Sequence, residues 1–254
     1  MVQDSGAPAR GRVKVEQGHK RVRAIAGGHV VADTTRPVLV WEIPYYPMYY
    51  IPAEDVRAEL IDTGATRDSP SRGEGRLHDL RIGDFDLVGA ALTYPDSPLP
   101  ELRGLVRLDW KAMGEWLEED EPIYTHPRDP HTRVDILSSS RHVEISVDGV
   151  VVAESQQPRI LFETGLPPRY YVPMSDVRLE LLRPSLQESH CPYKGTASYW
   201  DVVVGDTVHK ALAWGYRAPV PESQKIAGLI AFYDERVDVT VDGVPQERPH
   251  TPFS

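Results

Sequence analysis

Hydrophobic and polar residues alternate along many short stretches of the chain, which is the period of a half-buried β-strand. Residues 143–153 show this alternation on both sides of Asp148-Gly149. Glycine tolerates the positive φ of a type I′ turn, so this segment predicts two strands joined by a tight turn. Residues 22–32 repeat the pattern around Gly27-Gly28. Further strands are predicted at residues 159–163, 199–204 and 211–216.

Helical patterns are scarce. Asp109 can cap a helix that carries Trp110, Met113 and Trp116 three residues apart, so we expect one helix there. Residues 221–227 are expected to form a single turn. The fold class predicted from these patterns is mainly β, with little helix.

The chain contains two copies of one pattern. Residues 21–60 align without a gap on residues 142–181, and sixteen of the forty positions are identical. After a shift of one residue, 69–73 align on 191–195. We predict a mobile leader at 1–20 and two tandem domains, 21–125 and 126–254, related by a pseudo-two-fold. Because a single-copy relative would need a homodimer to build this arrangement, we expect a monomer.

Composition is that of a soluble globular protein, with 41% hydrophobic and 26% charged residues. No apolar stretch approaches the roughly 20 residues that cross a bilayer. The N-terminus lacks the apolar region of a signal peptide, and the single cysteine excludes an intramolecular disulfide. We therefore expect a cytoplasmic protein without a membrane partner.

The charge balance argues against nucleic acid as a partner. The net charge is −10, whereas phosphate binding needs concentrated positive charge. We interpret the basic stretch near the N-terminus as a solvated arm; it consists of Arg10, Arg12, Lys14, Lys20, Arg21 and Arg23.

A metal site is not predicted. His126, Asp129 and His131 lie among prolines, which favour an extended connector, and no third strong ligand follows at a suitable spacing. We expect no metal and no cofactor.

The candidate chemistry lies in residues that only the second copy has. Cys191 stands between His190 and Lys194, and nearby positive charge increases the thiolate fraction of a cysteine. Cys191 is thus a candidate nucleophile, with a small buried core residue as the alternative. The first copy has Ser69 and Arg72 at the equivalent places, so its site is expected to be empty or structural. The residues restricted to the second copy are His190, Cys191, Tyr193, Lys194, Tyr199 and Trp200.

We expect a ligand pocket around this motif. Lys194 is predicted to contact an anionic or carbonyl ligand, and Glu163 at a strand end is a candidate general base. Tyr171 and Arg178 are further ligand-contact candidates; both recur in the first copy, so a core aromatic and a structural ion pair are the alternatives. The aromatic wall of the pocket is predicted to comprise Tyr193, Tyr199, Trp200, Trp214 and Tyr216.

These motifs together resemble the bacterial domain-of-unknown-function 427 family, particularly its two-copy members. The resemblance implies tandem β-tent-like domains, in which two small sheets meet at an angle. Relatives of that fold often bind zinc through paired Cys-x-x-Cys motifs, which one cysteine cannot build. The motifs that carry the resemblance are residues 126–130, 139–142, 162–165, 170–173, 190–195 and 199–200.

Three functions remain open. We favour a small-molecule-binding protein or enzyme with its site in the second copy. A non-catalytic protein-interaction module is the alternative. A nucleotidyltransferase, a label used for this family, is disfavoured because the chain has neither a Gly-rich phosphate loop nor paired acidic residues for magnesium.

Overall fold

The computed structural model describes residues 13–251. The chain divides into two compact units, the first ending at Asp129 and the second beginning at Pro130. Both units are mainly β, as predicted. No helix within the described residues is long and apolar enough to cross a bilayer.

Residues 13–129, the described part of the first unit, form eleven strands. They are β1 Lys14–Gln17, β2 Val22–Ala26, β3 His29–Thr34, β4 Val38–Ile43, β5 Tyr46–Pro52, β6 Glu59–Ser69, β7 Gly73–Ile82, β8 Phe85–Thr93, β9 Leu105–Leu108, β10 Glu115–Glu118 and β11 Glu121–Ile123.

The second unit repeats this series. Its strands are β12 Val134–Ser138, β13 Val143–Val147, β14 Val150–Ser155, β15 Arg159–Glu163, β16 Arg169–Val172, β17 Leu182–Cys191, β18 Gly195–Val204, β19 Thr207–Tyr216, β20 Ile230–Phe232, β21 Asp238–Val241 and β22 Val244–Pro245. Short 3-10 helices lie at Ala53–Asp55, Pro100–Leu102, Met174–Asp176, Leu179–Leu181 and Pro221–Ile226.

Strand order confirms the duplication. The first unit has a seven-stranded sheet, β1-β4-β5-β9-β8-β7-β6, and a four-stranded sheet, β11-β10-β2-β3. The second unit has β12-β15-β16-β20-β19-β18-β17 and β14-β13-β21-β22, which is the same order strand for strand. Within each unit one apolar core fills the space between the two sheets.

The large sheet of each unit is covered on its other face as well. A second apolar cluster lies there, closed in the first unit by Pro100–Leu102 and in the second by Pro221–Ile226. Successive strand residues point to opposite faces. Tyr170 therefore enters the core between the sheets while Tyr171 enters the second cluster, and Tyr49 and Tyr50 are divided in the same way.

The predicted hairpins and the short turn are confirmed. Asp148 and Gly149 have φ of 49° and 78°, and Gly27 and Gly28 have 55° and 80°, as a type I′ turn requires. Pro221–Ile226 forms the expected turn.

The helix expected after Asp109 is wrong. The Asp109 carboxylate accepts hydrogen bonds from the amides of Lys111 and Ala112, which closes a single turn. Trp116 then belongs to strand β10, opposite Ala24 of β2. Sheet pairing thus outweighs the helical spacing of the aromatic residues.

The segment expected to be a leader is partly a strand. Lys14–Gln17 forms β1 and pairs with β4 at the edge of the large sheet. Residues 1–12, with Arg10 and Arg12, lie outside the described residues. The described basic side chains of this stretch each pair with a carboxylate; the pairs are Lys14–Glu16, Lys20–Glu118, Arg21–Asp33 and Arg23–Asp120.

A carboxylate braces the same β-bulge in both units. The Asp79 side chain accepts the amide of Gly89 at 2.6 Å, and that of Asp201 accepts the amide of Ala211 at 2.8 Å. The residue that donates has a positive φ in each case, 59° for Gly89 and 46° for Ala211. Alanine is strained in this conformation, so the second unit carries strain that the first avoids.

We expect Gly89→Ala to lower the free energy of unfolding of the first unit by about 1–2 kcal/mol, the cost of a left-handed alanine. The added methyl group would meet only Leu77 Cδ2 at 3.6 Å, so crowding adds little. Gly114→Ala is the control because its backbone has no positive φ. Denaturant unfolding measures both variants. Equal effects of the two substitutions would contradict the assignment of strain.

Candidate functional site

The motif of the second copy forms the turn between β17 and β18. Cys191 ends β17, and the Lys194 amide donates to the Cys191 carbonyl at 3.3 Å. Gly195 follows with a φ of 98°, a conformation that a residue with a Cβ rarely adopts. The Val220 amide donates to the Lys194 carbonyl at 3.2 Å. These backbone bonds hold Lys194 under the segment that leads into Pro221–Ile226.

Lys194 and Glu163 form a nearly buried ion pair. Lys194 Nζ lies 2.5 Å from Glu163 Oε2, and each side chain is 11% exposed. Glu163 ends β15, and its second oxygen, Oε1, accepts no hydrogen bond from any described residue. The pair therefore has unused hydrogen-bonding capacity: one carboxylate oxygen and the remaining ammonium protons. Cys191, in the same turn, is half-buried.

Tyrosine and tryptophan rings back this pair. Trp214 Nε1 donates to the Tyr171 hydroxyl at 3.3 Å. Burial raises the pKa values of both Tyr171 and Tyr216, and negative charge on Cys191 or Glu163 raises them further. Both phenols therefore stay protonated. The Tyr216 hydroxyl has no hydrogen-bond partner among the described residues.

The structure separates the other predicted site residues. Tyr199 stays in the apolar cluster that contains Tyr171 and Trp214, and its hydroxyl lies 2.7 Å from Ser189 Oγ. Trp200 points to the opposite face and packs on the core between the sheets. His190 is exposed and contacts Thr196 through Nδ1.

Tyr193 and Arg178 complete the set. Tyr193 is half-buried, and its carbonyl accepts the Ser223 hydroxyl at 2.8 Å. Arg178 is exposed and donates to Glu180 at 2.8 Å and to the Val151 carbonyl at 3.5 Å. These hydrogen bonds do not reach Lys194 or Glu163, so the structure does not bring Arg178 into the cluster.

The first unit has a closed network at the same place. Glu42, the counterpart of Glu163, accepts the Tyr50 hydroxyl at 2.7 Å and Arg107 Nε at 2.8 Å. Arg72, the counterpart of Lys194, lies 3.8 Å from the other carboxylate oxygen. Arg72 also donates to the hydroxyl of Tyr94, the counterpart of Tyr216, at 3.2 Å. The Glu42 carboxylate is thus surrounded by two arginines and a tyrosine, whereas among the described residues the only charged partner of Glu163 is Lys194.

The difference between the units comes from one strand position. Arg107 lies opposite Tyr50, and Ala231 lies opposite Tyr171, so alanine replaces an arginine in the second unit. Sequence reasoning missed this centre in the first copy, because residues shared by both copies were assigned to folding. The available signal was the recurrence of Glu42 and Tyr50 as Glu163 and Tyr171.

An open depression of about 210 Å³ lies near the cluster. Its lining includes Tyr199, Trp200 and Arg217, but not Cys191 or Lys194. The aromatic residues expected around one pocket are thus divided between this depression and the face that carries the ion pair.

The linker histidine and aspartate are used structurally. His126 stacks on Tyr46 with ring centroids 4.0 Å apart, and Asp129 accepts Trp41 Nε1 at 2.7 Å. Within residues 13–251, no three His, Cys, Asp or Glu side chains are placed to hold a metal ion.

The described chain is thus a tandem pair of antiparallel β units, each with a buried carboxylate–cation centre on one face of its large sheet. It belongs to the family described as Domain of unknown function (DUF427), whose profile matches residues 14–119 and 135–243. The resemblance inferred from the motifs is confirmed. A search among curated proteins found no match.

We expect Lys194→Met to lower the free energy of unfolding of the second unit by about 3 kcal/mol, because it leaves the Glu163 carboxylate unpaired and nearly buried. Lys194→Arg restores the residue type of the first unit and should cost less than about 1 kcal/mol. Denaturant unfolding gives the size of the effect, and hydrogen exchange locates it. If both variants are equally stable, the ion pair does not stabilise the fold.

Proposed function

We propose that this protein is a small-molecule-binding protein or enzyme. Its site is the face of the second unit around Lys194, Glu163 and Cys191. The ligand carries a carbonyl or carboxylate oxygen for the Lys194 ammonium and a hydrogen-bond donor for Glu163 Oε1. The protonated Tyr216 hydroxyl supplies a further donor. Such a small set of convergent polar groups on an aromatic wall is typical of ligand sites.

One observation carries this proposal. In the first unit three groups surround the Glu42 carboxylate: Arg107 and Tyr50 both donate to its Oε1, and Arg72 forms an ion pair at 3.8 Å with its other oxygen. In the second unit Ala231 replaces the arginine, and the Tyr171 hydroxyl accepts from Trp214. The Glu163 carboxylate therefore keeps hydrogen-bonding capacity beside an aromatic wall in only one of two duplicated centres, and this favours a ligand there.

Cys191 gives the site its possible chemistry. Cys191 lies in the same turn as Lys194, and a thiol near a cation can act as a nucleophile; we assign the role of proton acceptor to Glu163. Ser69 of the first unit lies in a turn of the same shape, and its hydroxyl accepts the Arg72 amide at 3.3 Å. Serine is a far weaker nucleophile without a base, so we assign the chemistry to the second unit alone.

A thermal-shift screen of small carboxylic acids and carbonyl compounds tests the binding role. A ligand that binds the native state raises the unfolding midpoint. We expect this shift in the native protein and its loss in Ala231→Arg/Trp214→Leu, which introduces the first-unit residues Arg107 and Leu92. Circular dichroism confirms that the double variant is folded.

The matched control is Arg107→Ala, which opens the centre of the first unit and should leave the ligand effect of the second unit intact. A shift that persists in Ala231→Arg/Trp214→Leu would place the ligand elsewhere. The absence of any shift across the acids and carbonyl compounds would count against a small-molecule site of this chemistry.

Iodoacetamide labelling tests the role of Cys191. We expect alkylation of the native protein, because the thiol is half-buried, and slower alkylation when the ligand from the screen is bound. Cys191→Ser should keep the ligand-induced shift, since Lys194 and Glu163 make the polar contacts. Mass spectrometry follows the labelling. An unreactive thiol, or labelling unaffected by ligand, would remove Cys191 from the proposed chemistry.

A further inference from the structure

A second difference between the units lies at the junction of their two sheets. In the first unit Trp110 and Trp116 stack with ring centroids 4.7 Å apart and planes 2° from parallel. Tyr49 lies against Trp116 at 6.4 Å, and its hydroxyl donates to Glu118 at 2.8 Å. The indole rings of Trp110 and Trp116 thus fill this corner, and Glu118 is the hydrogen-bond partner of the buried Tyr49 hydroxyl.

Backbone bonds identify the equivalent corner of the second unit. The amide of Asp109 donates to Ala90, and the amide of Tyr233 donates to Leu212, which is the same bond in the two copies. The residue that follows is Trp110 in the first unit and Asp234 in the second. Asp234 therefore occupies the position of a tryptophan.

Strand pairing identifies the other replacements. Trp116 lies opposite Ala24, and Val239 lies opposite the equivalent residue Ile145. In the same way Glu118 corresponds to Val241, since they lie opposite Val22 and Val143. The second unit thus loses two indoles and the carboxylate that binds the tyrosine hydroxyl.

A cavity of about 100 Å³ lies at this corner of the second unit. The C-terminal segment forms one wall, held by the Gln246 amide donating to the Val239 carbonyl at 2.8 Å and by Thr251 donating to Glu235 at 2.6 Å. The residues lining the cavity include Tyr170, Asp234, Val239, Gln246, Glu247 and Pro249.

Asp234, which lines the cavity, has a buried carboxylate oxygen without a hydrogen-bond partner among the described residues. Asp234 is 6% exposed, and its Oδ1 accepts no hydrogen bond from the described residues. Its Oδ2 lies 3.4 Å from Arg169 Nη1, but both terminal nitrogens of Arg169 are bound by Glu235 at 3.0 and 2.9 Å. Burying a carboxylate oxygen without a hydrogen bond costs folding free energy. A bound ligand that donates to Asp234 Oδ1 would remove this cost.

The charges around the cavity favour a cation. Arg169 is balanced by Glu235, and Arg141, near Tyr170, is balanced by Asp242 at 2.7 Å. Asp234 shares Arg169 with Glu235, so this one guanidinium faces two carboxylates, and Glu247 adds another acidic residue to the cavity lining. A hard metal ion would need several oxygen ligands, whereas an alkylammonium ion needs one or two acceptors and an apolar wall.

We propose that this cavity binds the ammonium end of a small primary amine, which donates to Asp234 Oδ1 and to the Tyr170 hydroxyl. The alkyl carbons then lie against Val239 and Pro249. Because one water occupies about 30 Å³ of liquid, the volume suits an ammonium group with two or three carbons. This site is separate in chemistry from the Lys194 centre, which presents a cation.

Binding to this site depends on pH. Burial and the negative charge of Glu235 together raise the pKa of the Asp234 carboxyl to about 7, against the opposing effect of Arg169. Above that pH the carboxylate is charged and attracts the ammonium ion. As the pH falls through 7 the carboxyl gains a proton, and affinity should fall by about tenfold per pH unit.

Thermal shift and calorimetric titration with propylammonium chloride test the proposal at pH 8 and pH 5.5. We expect saturable stabilisation at pH 8 in the native protein and its loss in Asp234→Asn, which keeps the shape of the side chain but not its charge. Asp206→Asn, at an exposed carboxylate on the β18–β19 turn, is the control and should behave like the native protein. Tetramethylammonium has the same charge without an N–H donor and should not stabilise.

Stabilisation of Asp234→Asn by propylammonium would overturn the proposal, as would equal effects of propanol, propionate or tetramethylammonium. No saturable effect of propylammonium at pH 8 would overturn it as well. If Asp234→Asn does not fold, the pH dependence of propylammonium binding to the native protein still tests the proposal. Its affinity at pH 5.5 must be at least tenfold weaker than at pH 8, and an unchanged affinity excludes Asp234 as the acceptor.

Discussion

A strand side chain can reach only one face of its sheet, and the large sheet of each unit is covered on both faces. This constraint gives neighbouring residues different roles. Tyr170 enters the core between the sheets, and Tyr171 enters the cluster that backs Lys194 and Glu163. The two candidate sites of the second unit therefore lie on opposite faces of β16. Tyr170 lines the cavity with Asp234, and the next residue, Tyr171, belongs to the cluster behind Lys194 and Glu163.

Much of the fold was predictable because its signals are local. The alternation around Asp148-Gly149 gave a hairpin, and the internal alignment gave two copies whose sheets have the same strand order. The helix after Asp109 failed because the spacing of Trp110 and Trp116 fits a helix face, whereas sheet pairing placed only Trp116 in a strand. Pairing is non-local, so a short window cannot show it.

The candidate site was only partly visible in the sequence. Lys194, Glu163 and Cys191 were named from a motif and an alignment, and the structure brings Lys194 and Glu163 into contact. Trp200 was assigned to the same wall as Tyr199, although adjacent strand residues face apart. The role of Ala231 was hidden because an alanine carries no functional group. Its significance is the absence of the guanidinium that Arg107 supplies in the first unit.

Identical strand order in tandem units also affects how the chain folds. The first strand of each unit, β1 or β12, lies at an edge of the large sheet and pairs there with β4 or β15. Edge strands with similar partners can exchange, and neighbouring domains of like topology are prone to such misassembly. The divergence of the two copies, which puts a lysine and a glutamate on β1 but an aspartate on β12, gives each edge its own charge pattern. This difference in charge pattern disfavours the exchange of β1 and β12 between the two sheets.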